Sequence, residues 1–180
     1  MAQAEMEPFK EIRGLISQTE NALALERLQE IDGATLSQQD RALKHFALGI
    51  LHYRLAKANN AEEHLKKALE LNTRLAAYVH QYLGVISKDR SKFEQSQEFL
   101  EKVFKNEPPR YLAYRGKFEL SEVNLQRGHL NSAYRNLRYL EKRWRYTSKH
   151  PQVLWRLLQT DLDKNKRWRM CRWARKLYSR

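Results

Sequence analysis

Apolar positions along this chain recur every three or four residues, and alternation of β-branched residues with a period of two is nearly absent. Leu, Ala, Glu, Lys, Arg and Gln dominate. This combination is typical of amphipathic helices and predicts an all-α fold. We expect ten helices, which pair into five hairpins, at residues 8–16, 18–31, 38–56, 60–72, 75–88, 92–105, 110–127, 131–146, 151–164 and 166–180.

Turn and capping residues mark the ends of these predicted helices. Gly33 and Gly128 stand where helices should end. Pro108 and Pro109 must interrupt a helix, and Pro151 is placed to open one. Four pairs have the spacing of a capping box, which predicts a helix start at each of them: Ser17 with Glu20, Ser37 with Asp40, Asn60 with Glu63, and Ser91 with Glu94.

The predicted hairpins also resemble one another at a fixed period. When residues 43–73, 78–108 and 115–146 are aligned, small residues coincide at offsets of 35 and 37 residues. A small residue in each helix lets the two backbones approach closely, and each hairpin then needs its neighbour to cover its apolar face. The aligned small residues are Gly49, Gly84 and Ser121 in the first helix of each hairpin, and Ala61, Ser96 and Ala133 in the second.

The aligned residues resemble a known family. Leu48-Gly49 followed by Tyr53, then Ala61-x-x-x-Leu65-x-x-Ala68, is similar to a tetratricopeptide repeat (TPR), and residues 83–108 are similar to a second. The resemblance implies a right-handed superhelix, or α-solenoid, of about five antiparallel hairpins. It implies one TPR-like domain over 1–180, with a degenerate or capping hairpin at 5–36, repeats at 42–75, 77–110 and 114–147, and a weak, truncated repeat at 151–180.

TPR proteins usually bind peptides or protein partners in a concave groove lined by the first helix of each hairpin, and few are catalytic. The lining expected here is aromatic with scattered polar groups, which suits a bound peptide. The alternative is that several of these rings pack inside the hairpins. The expected groove residues are Phe46, Tyr53, Tyr78, Gln81, Tyr82, Arg115, Phe118, Glu122, Trp155 and Gln159.

Charge is distributed unevenly around the net value of +13. Residues 1–40 carry a net charge of −5, whereas residues 141–180 carry +10 and all four tryptophans. We expect a basic surface formed by Arg143, Arg145, Arg167, Trp168, Arg169, Arg172 and Lys176.

Three interpretations of this basic end stay open. Its apolar stripe is the packing face of the last helix, with Trp168 and Arg172 in a cation–π contact. Alternatively, the cations bind a polyanion such as nucleic acid or anionic lipid. In the third interpretation the repeat array is unfinished and the chain is part of a longer protein. Ala174-Arg175-Lys176-Leu177-Tyr178 resembles the superhelical region of soluble lytic transglycosylases, which implies a helical accessory region of a larger periplasmic peptidoglycan enzyme.

Residues with catalytic or metal-binding chemistry are sparse. The chain has no Gly-rich phosphate loop, no His-Glu-x-x-His and no Gly-x-Ser-x-Gly, so neither catalytic residues nor a cofactor are predicted. His45 and His52 lie seven residues apart on one predicted helix, but a metal site would need a third ligand, and none is predicted. Cys171, the single cysteine, excludes an internal disulfide and is expected to be buried.

The compartment and the oligomeric state are not decided by the sequence. No apolar run reaches the roughly 18 residues of a membrane-spanning helix. Residues 1–5 lack the features of a signal peptide, yet Ala2-Gln3-Ala4 resembles the small-residue end of a cleaved export signal. Cytoplasmic and periplasmic locations are therefore both open. The leading hypothesis is a non-catalytic scaffold that binds a protein or peptide partner.

Overall fold

The computed structural model describes residues 7–105, 107–144 and 150–178. Within these ranges the chain forms ten α-helices, one short 3₁₀ turn and no β-strand, which confirms the all-α prediction. The predicted ends at residues 146 and 180 lie outside the described residues, and each other predicted helix end lies within three residues of the observed one. The helices are α1 (Glu7–Ser17), α2 (Asn21–Glu30), α3 (Gln38–Arg54), α4 (Ala58–Glu70), α5 (Ala76–Asp89), α6 (Phe93–Lys102), α7 (Arg110–Gln126), α8 (Leu130–Arg143), α9 (His150–Asp163) and α10 (Arg167–Tyr178).

The helices group into two compact units. Unit 1 extends to Ile86 and unit 2 begins at Ser87, so the division falls within α5. None of the helices in the described ranges is long and apolar enough to cross a membrane.

Within each helical pair, the turn has the same backbone conformation. One residue takes a left-handed φ, and the next backbone N–H donates to the carbonyl five residues earlier, as in Lys57 to His52 (2.8 Å) and Lys166 to Asp161 (2.8 Å). This pattern is a Schellman motif, which satisfies the carbonyls at the end of the first helix. The left-handed residues recur at offsets of 37, 35, 37 and 37, namely at Thr19, Ala56, Ser91, Gly128 and Asn165.

These turns decide where the second helix of each pair begins, and they correct three of the four predicted capping boxes. Ser37 does accept a hydrogen bond from the Asp40 backbone N–H (3.2 Å) and caps α3. The other three pairs form no capping box, because the second helix begins directly after the turn whatever the nearby side chains offer. The caps observed there make no side-chain hydrogen bond and are Glu20, Lys57 and Lys92.

In unit 1, α3 and α4 pack closely through small residues. A Cβ added to Gly49 would lie 2.7 Å from Leu65 Cγ and 3.3 Å from the Ala61 carbonyl oxygen. Ala61 and Leu65 are fully buried. Ser96 and Ala133, which the sequence aligns with Ala61, are also fully buried, as expected for residues between closely packed helices.

The contact at Gly49 predicts that a glycine-to-alanine substitution has opposite effects on stability at Gly49 and at Gly14. Gly49→Ala should lower the free energy of unfolding by at least about 1 kcal/mol, because the new methyl group overlaps Leu65. Gly14→Ala is the matched control, since Gly14 lies in α1 and a Cβ there meets nothing within 4 Å. It should raise stability by about 0.5–1 kcal/mol through helix propensity alone. Urea denaturation followed by circular dichroism measures both, and equal effects of the two changes would contradict the packing.

In unit 2, the core is centred on α8, α9 and α10. Trp173 is 1% exposed, and its indole N–H donates to an Asp161 carboxylate oxygen at 2.7 Å. Cys171 lies on the same helix but is exposed, so the expectation of burial was wrong. Cys171 precedes Trp173 by two residues, which is about 200° around the helix, so the two side chains lie on nearly opposite faces of α10 and Trp173 takes the core position. The buried residues of this cluster are Tyr114, Leu137, Leu140, Val153, Leu154, Leu157 and Trp173.

Candidate partner-binding surfaces

In unit 1, four of the predicted groove residues come together from α3 and α5. Phe46 lies edge-on to Tyr78 and to Tyr82, with ring centroids 6.5 and 6.3 Å apart, and Tyr53 contacts Tyr82 at 5.8 Å. All four rings are half-buried, so each contributes to packing and keeps part of its surface open. We call this set the α3–α5 aromatic cluster.

Gln81 does not share that exposure. Its side chain is 1% exposed, and both amide atoms lack a hydrogen-bond partner within the part of the chain that the structure describes. Gln81 was expected on the groove, and the structure instead places it in the interior. The reason is the helical repeat. Gln81 precedes the half-buried Tyr82 by one residue, so its side chain points about 100° away from that of Tyr82, toward the core face of α5.

In unit 2, a second group of predicted residues borders an open groove. Phe118 and Trp155 line it together with Arg156 and Leu177, and its volume is about 630 Å³. Trp155 is 52% exposed. Phe118 stacks in parallel on Tyr114 with centroids 6.2 Å apart, which fixes its ring. We call this site the α9 groove; Pro151 and Gln152 complete its lining.

Sequence reasoning missed Arg156, which organises the polar side of the α9 groove. Its guanidinium donates to Glu122 at 2.5 Å and to Gln159 at 2.9 Å, and so joins two of the predicted groove residues. Burial raises the pKa of Glu122, and the nearby Arg156 and Lys88 oppose that rise. Arg156 lies one residue after Trp155, and only the packing of α9 against α7 shows that it reaches Glu122.

Two other features of the α7 segment bear on the predicted groove. Lys88 forms an ion pair with Glu119 at 2.6 Å, and both side chains are largely shielded. Arg115, also expected on the groove, places its guanidinium 6.0 Å from the centre of the Tyr111 ring. Arg115 is therefore held beside an exposed tyrosine and does not line the α9 groove.

The predicted basic surface on α8 and α10 divides into exposed and internally paired cations. Arg143, Arg167 and Arg172 are exposed. Lys176 is paired with the buried Glu141 at 2.5 Å, and Arg169 lies 3.9 Å from the buried Asp161. Arg145 lies outside the described residues.

The aromatic contacts of these cations differ from the predicted ones. Arg172 was expected to stack on Trp168, but its guanidinium lies 5.6 Å from the centre of the Trp173 ring. Arg169 lies over Trp168 instead, at 5.1 Å. Trp168 is 66% exposed. Each ring meets the cation next to it in sequence. Because the helix turns Trp173 into the core and leaves Trp168 exposed, the two rings lie in different surroundings.

Three histidines stack between α3 and α4. The rings of His45 and His52 each lie 5.3 Å from the ring of His64, and the Nδ1 atoms of His45 and His64 are 3.0 Å apart. Burial is the main cause of a lowered pKa in all three, and it lowers the pKa of His64 to about 4. Within the described ranges, no group of three or more His, Cys, Asp and Glu side chains could hold a metal ion. We call this set the histidine cluster.

Comparison with solved structures identifies the fold. PilF of Pseudomonas aeruginosa aligns over 96% of this chain and 74% of its own, with 16% identity and a TM-score of 0.78. MamA aligns over 93% of this chain and 92% of its own, with 13% identity and a TM-score of 0.77. YrrB, described as a TPR protein with an unusual peptide-binding site, aligns over 93% of this chain and 81% of its own, with 15% identity and a TM-score of 0.68.

These similarities confirm the TPR resemblance at the level of the fold. No protein-family model matches the chain, and no curated protein matches it by sequence. At identities of 13–16%, the shared feature is the succession of helical hairpins rather than the residues on their surfaces.

Proposed function

We propose that this protein is a non-catalytic scaffold that binds a peptide segment of a partner protein in the α9 groove. The observation that carries the proposal is Trp155, a large aromatic side chain that stays 52% exposed at the edge of an open groove. An exposed tryptophan next to a fixed phenylalanine ring offers a large contact area whose ordering costs little entropy.

The polar groups of the groove indicate what the peptide would present. Arg156 uses two N–H donors for Glu122 and Gln159, which leaves three of the five donors of a guanidinium for a ligand. Because its orientation is already fixed, Arg156 loses little freedom when it binds an oxygen atom. The expected peptide therefore carries an apolar side chain against Trp155 and Phe118, and a carbonyl or carboxylate oxygen near Arg156.

A selection experiment with the full chain tests this proposal. Peptides are selected from a random phage-displayed library on the immobilised protein, and their affinity is then measured by fluorescence anisotropy. Trp155→Ala should weaken the selected peptides about thirtyfold, the effect of losing one central contact residue. Tyr139→Ala, which removes an exposed aromatic ring of α8 outside the groove, is the matched control and should leave affinity unchanged.

Failure of this pattern would reject the α9 groove. Equal binding by wild type and Trp155→Ala would do so, as would the absence of any selectable peptide. Tyr82→Ala in the same titration reports whether the α3–α5 aromatic cluster contributes to binding. The polyanion and transglycosylase interpretations of the basic end stay predictions.

A further inference from the structure

A small cavity in unit 1 is lined mainly by positively charged and protonatable groups. It lies where the end of α2 and the Gly33 turn meet α3 and α4, and its volume is about 220 Å³. Arg41, Lys44, His45 and His64 line it, and the remaining lining residues are Gln29, Gly33 and Leu48. No carboxylate is among them. We call this site the basic cavity.

The two permanent cations of the basic cavity are not neutralised by acidic side chains. Lys44 donates to the backbone carbonyl of Ile31 at 2.5 Å, a contact that holds the ammonium group in place without cancelling its charge. Arg41 is exposed and forms no ion pair with any residue in the described ranges. Two cations that line one cavity without an acid favour an anion in the space between them.

The imidazoles add a proton-dependent part to this positive charge. His45 and His64 face each other through their Nδ1 atoms at 3.0 Å, so at neutral pH the two rings share a single N–H between these atoms. Beyond the cavity cations, the charged or protonatable groups that act on this pair are Lys67, Glu63 and Glu70 of α4 and His52 of α3.

Glu63 is already engaged by Lys67 at 2.6 Å, so the local balance around the two rings is positive. A positive surrounding disfavours a further proton on either imidazole, and an anion placed beside them would reverse that effect.

We propose that the basic cavity binds a phosphoryl-type oxyanion, and that one imidazole of the His45–His64 pair takes up a proton from solvent when the anion binds. The anion accepts hydrogen bonds from the Arg41 guanidinium and the Lys44 ammonium, and the new imidazolium N–H donates a third. The cavity has room for a tetrahedral oxyanion, and the Gln29 amide supplies a neutral donor at its edge. Inorganic phosphate and a phosphorylated side chain share this chemistry.

Calorimetric titration of the full chain tests the proposal with three probes: sulfate, inorganic phosphate and N-acetyl-O-phosphoserine methylamide. Sulfate keeps a constant charge across the neutral range, so any pH dependence of its affinity comes from the protein. Its affinity should rise about threefold or more between about pH 7 and about pH 6, where an added proton becomes available to the imidazoles. Titrations in two buffers of different ionisation enthalpy should show proton uptake. The tighter of the two phosphate probes distinguishes a free ion from a phosphorylated partner.

Variants distinguish specific binding in the basic cavity from general electrostatic attraction to the positively charged protein. Arg41→Gln should weaken sulfate binding about tenfold, because it removes a charged hydrogen bond. Lys66→Gln is the matched control: it removes the same charge from α4 outside the cavity, at a side chain that pairs with Glu62, and should change affinity little. His64→Gln should abolish the proton uptake, while circular dichroism shows that each variant is folded.

Three results would overturn the proposal. The first is the absence of saturable binding by all three probes. The second is equal weakening by Arg41→Gln and Lys66→Gln, which would show attraction to the net positive charge alone. The third is sulfate affinity that is identical at the two pH values with no proton uptake.

Discussion

Trp173→Ala should lower the free energy of unfolding by about 3–5 kcal/mol. Trp173 is 1% exposed at the centre of the unit 2 core, so its removal leaves a cavity the size of an indole ring. It also leaves the fully buried Asp161 without the indole N–H that donates to it at 2.7 Å. Urea denaturation monitored by circular dichroism measures the change.

Trp168→Ala is the matched control for this experiment. Trp168 lies on the same helix and is 66% exposed, so its loss should change stability by less than about 0.5 kcal/mol. Trp173→Phe isolates the hydrogen bond, because phenylalanine keeps most of the apolar volume and has no N–H donor. It should cost about 1.5–3 kcal/mol, the usual contribution of a hydrogen bond to a charged group. If Trp168→Ala proved as harmful as Trp173→Ala, the packing of α10 described here would be wrong.

Acidification should destabilise unit 1 through the histidine cluster. The folded pKa of His64 is about 4, below the ordinary value of 6.5, so the unfolded chain binds more protons between these two values. Stability is therefore fully present above about pH 6.5 and is lost as the pH falls toward 4. The gap is equivalent to about 2–3 kcal/mol for a partly buried group, and the lowered pKa values of His45 and His52 act in the same direction.

Hydrogen exchange of the α3 and α4 amides, measured at several pH values, reports this loss in unit 1 alone. His64→Gln should flatten the pH dependence, because it removes the imidazole that lies between the other two rings. His129→Gln removes an exposed imidazole in unit 2 and serves as the control. An unchanged pH profile in His64→Gln would show that groups outside the histidine cluster control the acid response.

The roles of Trp173 and His64 could be predicted from the sequence only in part. Four tryptophans occur in the last 40 residues, and the sequence assigns Trp173 to the apolar stripe of the last helix, Trp155 to the groove and Trp168 to the basic surface. Trp173 enters the core, whereas Trp155 and Trp168 remain exposed. The periodicity assigns a face to each residue, but the neighbouring helix decides whether that face is covered. The same holds for His64, which belongs to a different helix from His45 and His52 and was not linked to them by spacing.

The sequence by itself determined the all-α class, the positions of the ten helices and the small residues that allow close packing, because these features depend on local periodicity and on residue size. Only the tertiary structure decided which side chains meet across helices. It buried Gln81, exposed Cys171, joined Arg156 to Glu122 and Gln159, and formed the histidine cluster. Such contacts depend on the angle and register between two packed helices, which no single segment of the chain encodes.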